Sequence, residues 1–91
     1  MVQRIRVTVR GRVQGVGFRA TAARAAQRLP VAGFVRNAPD GSVEAEVEGD
    51  PDAVEAMLAV LREGPTAAVV TSAEVVDLEP SGEETDFRVT R

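Results

Sequence analysis

The chain predicts an α+β fold: a split β-α-β sandwich, with two helices packed on one face of a mainly antiparallel sheet of four to five strands. Three observations carry that expectation. Polar and apolar residues alternate over residues 4–10 and again over 42–48, the period of half-buried strands. Two stretches, 18–29 and 51–63, repeat their apolar residues at helical spacing. The resulting order is β-α-β, β-α-β and a short extra strand, and right-handed crossovers fold such an order into this sandwich.

The first strand sets Ile5, Val7 and Val9 against Arg4, Arg6, Thr8 and Arg10. Residues 11–17 break the pattern with three glycines in seven positions. From Phe18 to Leu29 the residues are mostly Ala, Arg and Gln, all good helix formers. Phe18, Ala22, Ala25, Ala26 and Leu29 share one face, and Pro30 ends the helix. A short strand over 33–38, a Pro39-Asp40-Gly41 turn and a strand over 42–48 read as a β-hairpin. Asp50 is placed to cap a second helix, with Pro51 at its first position. Val54, Met57, Leu58 and Leu61 form its buried stripe, and Gly64-Pro65 stops it. A fourth strand is expected from about Val70 to Glu79, and a polar turn over Pro80–Glu84. Phe87 and Val89 mark a last short strand with a buried face. It must run opposite to strand four, so it fits either antiparallel beside that strand or parallel beside strand two.

Ninety-one residues make a single domain, 1–91. The chain has no His and no Cys. That removes the commonest general base, the thiolate nucleophile and the usual zinc ligands. No apolar run is long enough to span a membrane, and no signal peptide opens the chain. A cytoplasmic monomer is the default expectation. The net charge of −3 hides a split: residues 1–39 carry +8 and residues 40–91 carry −11. If strands one and three are neighbours, Arg4, Arg6 and Arg10 face Glu44, Glu46 and Glu48, and exposed cross-strand pairs absorb much of the split. Arg12, Arg19 and Arg36 are left over. Strand alternation and helix capping account for the acids between Glu44 and Asp52, so no metal site is expected there.

Two features are candidates for chemistry. The stretch Gly11-Arg-Val-Gln-Gly-Val-Gly-Phe-Arg19 leads from a strand into a helix. Such a junction leaves backbone N–H groups unpaired at the positive end of the helix, a seat for a phosphate or another small anion. It is also a possible plain tight turn, since it lacks the Lys-Ser/Thr of a nucleotide P-loop. Arg19, in the first helical turn, has the fixed donors that match phosphate oxygens, or it is a surface arginine. Asn37 is the one asparagine of the chain and ends strand two. It is either a turn residue or a neutral amide that holds a water.

Taken together, Gly11–Arg19 and Gly33-Phe-Val-Arg-Asn37-Ala-Pro-Asp-Gly41-Ser-Val43, followed by Gly49, resemble the acylphosphatase family. The resemblance covers both signature segments, their separation and effectively the whole chain. It implies a ferredoxin-like sandwich and hydrolysis of acyl phosphates to a carboxylate and inorganic phosphate. It implies that Arg19 binds the phosphate with the loop amides of Gln14, Gly15, Val16, Gly17 and Phe18, and that Asn37 orients the attacking water. No metal or cofactor is implied. The expected ligands are an acyl phosphate substrate and inorganic phosphate as product and inhibitor.

The residue content agrees with that chemistry. A site without a strong base, a covalent nucleophile or a general acid can cleave only a phosphate whose leaving group departs unaided. A carboxylate, whose acid has a pKa of about 4, does so, whereas an alkoxide does not. Two other functions compete. One is a non-catalytic anion-binding or regulatory module on the same fold, including one piece of a larger maturation enzyme; the end of the chain near residue 91 argues against that last version. The other is RNA binding, which uses aromatics on the open sheet face. Strands one and three present Arg, Thr and Glu there, so no nucleic-acid partner is expected.

Overall fold

A computed structural model describes residues 1–82 and 85–90. Its elements follow the expected order: β1 (Gln3–Arg12), α1 (Phe18–Arg28), β2 (Val31–Asn37), β3 (Val43–Gly49), α2 (Pro51–Glu63), β4 (Val69–Leu78) and β5 (Phe87–Thr90). The strands form one sheet in the order β4-β1-β3-β2-β5. Neighbours are antiparallel except for β2 and β5, which are parallel. Strand one therefore lies beside strand three, as the split β-α-β arrangement implies. The last strand takes the parallel place beside β2, with Gly33 opposite Phe87 and Val35 opposite Val89.

Both helices cover the same face of the sheet. Ile5, Val7 and Val9 of β1, with Val43, Ala45 and Val47 of β3, form the floor of the core. Phe18, Ala22 and Ala25 of α1 and Val54, Met57, Leu58 and Leu61 of α2 close it from above. Each large aliphatic side chain buried in this way contributes about 1.5–3 kcal/mol. Ala26 and Leu29 are only partly buried beside it.

Several expectations need correction. Asp50 occupies the cap position of α2 with extended backbone, but its carboxylate makes no capping hydrogen bond. Its carbonyl instead accepts the Val54 N–H at 3.0 Å. Val89 is not buried: it is 49% exposed, because β5 is an edge strand. Of the expected turn at Pro80–Glu84, residues 83 and 84 lie outside the described residues.

The charge ladder on the open face is also rearranged. Arg4 is buried, not exposed, at 7% accessibility. It donates to Glu46 Oε1 at 2.8 Å and to Glu48 Oε1 at 3.0 Å. Arg6 donates to Glu46 Oε2 at 3.1 Å. Arg10 bonds no glutamate of β3; it reaches Asp40 at 3.1 Å and Glu74 at 3.3 Å. Arg36, left unassigned by sequence, takes Glu44 at 2.9 Å. Long side chains reach diagonal as well as facing partners. With β2 also flanking β3, Arg36 and Glu44 sit directly opposite each other.

Glu48 explains why Arg4 is buried. Its two carboxylate oxygens also accept the backbone N–H groups of Ser81 and Gly82 at 2.8 and 2.9 Å. Ser81 and Gly82, which follow β4, are thus held against the face of the sheet that carries no helix. These donors and Arg4 hold the Glu48 carboxyl below its ordinary pKa, with the Ser81 amide the largest cause and burial opposing it.

Candidate active site

The loop between β1 and α1 is anchored from within. Val13 is fully buried, Val16 is partly buried and Phe18 is buried in the core. The residues between these anchors stay at the surface. Gly15 and Gly17 have φ of 75° and 82°. An added Cβ at either would meet no atom within 4 Å. The glycines are therefore required by backbone angle, which an L-residue adopts at a cost of about 1–2 kcal/mol. Gly17 is the N-cap of α1 and supplies no capping side chain. Its carbonyl accepts the first helical bond, from Thr21 N–H at 3.0 Å. Among the described residues, no protein acceptor takes the N–H groups of Gln14, Gly15, Val16, Gly17 or Phe18. Five backbone donors and the positive end of an 11-residue helix are thus available for an anion.

Arg19 is the second residue of α1 and is half-buried. It forms no ion pair among the described residues. Its one hydrogen bond runs from Nη1 to the Thr90 carbonyl of β5 at 3.5 Å, long for such a bond. The guanidinium keeps most of its donors for a ligand. Asn37 ends β2, paired with Val43. Its carboxamide makes no hydrogen bond among the described residues and is half-buried. Both side chains line one concavity of about 370 Å³, and Gly15 and Gly17 line it too. The rest of its lining is Val13, Phe18, Ala20 and Val89, and no carboxylate lines it among the described residues.

Gln14 has a task that the sequence reading missed. Its Nε2 donates to the Ala38 carbonyl at 2.8 Å and to the Ser42 carbonyl at 2.9 Å. These carbonyls flank the hairpin turn that follows Asn37. The side chain therefore bolts the glycine loop to the turn, and so sets the spacing between Arg19 and Asn37. The available signal was a two-donor amide set between Val13 and Gly15, facing a turn whose carbonyls need partners. The turn is stiff in its own right: Asp40 Oδ1 accepts the Ser42 hydroxyl at 2.6 Å and the Ser42 N–H at 3.0 Å. These bonds, then Arg10, hold the Asp40 carboxyl at about 2.

A larger concavity of about 850 Å³ lies at the other end of the sheet, beside Leu29, Pro30, Val31 and Phe87. Its charged lining residues are Glu48 and Asp86, which repel anions. The smaller concavity carries an arginine and lies beside the open loop amides, the features an anion needs.

Comparison with known proteins bears on the fold and the family. The family model described as acylphosphatase matches residues 5–89. A curated acylphosphatase of Methylococcus capsulatus is 50% identical over 90 residues, covering 99% of this chain and 98% of the relative. Another, from Thermococcus kodakarensis, is 52% identical over 85 residues, covering 91% of this chain and 93% of the relative. Among solved structures, the acylphosphatase of Bacillus subtilis superposes with a TM-score of 0.92 at 32% identity, over the full length of both chains.

Proposed function

The chain belongs to the acylphosphatase family and hydrolyses acyl phosphates, and from that premise we propose that Arg19 and Asn37 carry the reaction. The loop amides from Gln14 to Phe18 and the Arg19 guanidinium bind the phosphate oxygens. Asn37 holds a water through its carboxamide oxygen. The water oxygen bonds to phosphorus as the bond from phosphorus to the acyl oxygen breaks. The carboxylate departs with the electron pair of that bond, and the water's proton passes to a phosphate oxygen of the substrate. The protein's contribution is position and charge stabilisation, the main tasks in phosphoryl transfer through a loose transition state.

One observation carries this reading. Among the described residues, Arg19 has no acidic partner and Asn37 no side-chain hydrogen bond, and both line the same concavity, beside backbone N–H groups that no described acceptor takes. Such unsatisfied donors are costly unless a ligand or solvent meets them. Among the described residues the lining holds no carboxylate, which supports a leaving group that needs no acid.

Arg19→Ala and Asn37→Ala are each expected to lower kcat for benzoyl phosphate roughly 10²–10³-fold while the circular dichroism spectrum stays that of the parent. Full activity in either variant removes that residue from the mechanism. Inorganic phosphate is a competitive inhibitor on this reading, and its inhibition weakens in Arg19→Ala. The reading extends to residues 1–91 working as one domain, as a monomer in the cytoplasm. An ordinary soluble composition with a net charge of −3 supports it. Sedimentation at working concentration checks the monomer, and cell fractionation checks the compartment.

A further inference from the structure

We infer that Val89 of β5, with Ala20 of α1, forms the wall against which the acyl group of the substrate lies, so that the site selects acyl phosphates with an apolar acyl group. The inference rests on the proposed roles of Arg19 and Asn37 and goes on to name the substrate class. Val89 stands opposite Val35, which is fully buried and itself stands opposite Ala45 of the core. Residues in register across neighbouring strands share a face. Val89 therefore lies on the face that the helices cover, where it lines the concavity, and on the edge strand it stays 49% exposed. The other exposed large aliphatics, Met1, Val2, Val69, Val75 and Val76, do not line it.

The lining divides by chemistry. Phosphate oxygens are matched by the loop amides and by Arg19, and the water by Asn37. Val89 and the exposed Ala20 offer neither donor nor acceptor in their side chains. What they can contact is the remaining part of the substrate, its acyl substituent. The concavity of about 370 Å³ has room for that substituent beside a phosphate, since a water occupies only about 30 Å³ of liquid. A mostly apolar lining with a few placed polar groups is the usual make-up of a small-molecule site. Contact with an apolar wall favours aryl and branched acyl groups over small ones, and its open side limits the selectivity.

The test compares benzoyl phosphate with acetyl phosphate in the parent and in Val89→Thr, which keeps the shape and strand preference of valine but not its apolarity. The ratio of kcat/KM for benzoyl over acetyl phosphate is expected to fall roughly 3–10-fold, while the inhibition constant of inorganic phosphate keeps its parent value. Val89→Leu, which extends the wall, keeps or raises the ratio. An unchanged ratio in Val89→Thr overturns the inference. So does a phosphate inhibition constant that moves with it, because Val89 then acts through the phosphate seat. Arg19→Ala is assayed alongside. If it stays active, the catalytic reading fails whatever Val89 does; if it is inactive and the Val89→Thr ratio is unchanged, only the acyl wall fails.

Discussion

Truncating Gln14 to alanine removes both bonds that its amide makes, to the carbonyls of Ala38 and Ser42. Each is part-buried, so the change costs about 1–3 kcal/mol of stability. Its functional effect differs in kind from that of Arg19→Ala. The loop amides and Arg19 remain, so inhibition by phosphate is largely kept, while kcat falls because the turn that carries Asn37 is no longer tied to the loop. Steady-state kinetics with phosphate as inhibitor checks this: parallel losses in both quantities would place Gln14 in the phosphate seat itself. Arg19→Lys is expected to lose most activity as well, since an ammonium cannot match two phosphate oxygens with a planar fork. The positions of Arg19 and Asn37 at junctions of elements were legible in the sequence, because each stands within a recognisable motif, and the structure sets both in the lining of one concavity. The side-chain bond of Gln14 was not, because nothing in a one-dimensional pattern shows which carbonyls 24 and 28 residues away come within its reach.

At the level of elements, period-two alternation identified β1 and β3, and helical spacing identified both helices, because one face of each is buried. β4 was drawn less sharply. It is an edge strand with most residues exposed, so burial imposes no alternation on it. The placement of β5 was open for a geometric reason: a place beside β4 and one beside β2 both satisfy its direction. The structure adds a device that holds the approach to β5. Glu48 clamps the Ser81 and Gly82 amides against the sheet. Glu48→Gln halves the acceptor capacity of the side chain and removes a negative charge that faces the buried Arg4. A loss of about 3 kcal/mol is expected, at the low end for a broken buried pair. Urea unfolding measures it, and activity per folded molecule should persist because Glu48 is remote from the concavity that holds Arg19.

For the whole molecule, the split of charge between the two halves of the chain is a consequence of topology. The basic β1 lies beside the acidic β3, and the arginines of one half find the acids of the other. The sequence predicted that interleaving but misassigned individual partners: Arg10 and Arg36 exchange roles, because both hairpin turn and edge strand offer acids that a strand-by-strand pairing ignores. The same network makes the fold sensitive to acid. Asp40 is lowered from 3.8 to about 2, chiefly by Ser42, and Glu48 is lowered from 4.5, chiefly by Ser81. The unfolded chain therefore binds more protons in this range, so the stability these groups contribute is present above about pH 5 and is lost as pH falls towards about 2. The urea midpoint should decline over that window, and a constant midpoint would contradict the pairing. Activity at neutral pH should survive a chelator, since every step proposed here uses backbone amides, Arg19 and Asn37. Loss of activity on chelation, restored by a divalent cation, would require a different mechanism.

The central claim is that this site binds and orients, and leaves bond cleavage to the substrate's own leaving group. The most direct measurement is the rate of hydrolysis of benzoyl phosphate beside that of a simple alkyl phosphate under the same conditions. The account predicts steady turnover of benzoyl phosphate, lost in Arg19→Ala and Asn37→Ala, and no detectable hydrolysis of the alkyl ester. Comparable turnover of both substrates would show that the protein supplies a general acid, and would contradict it.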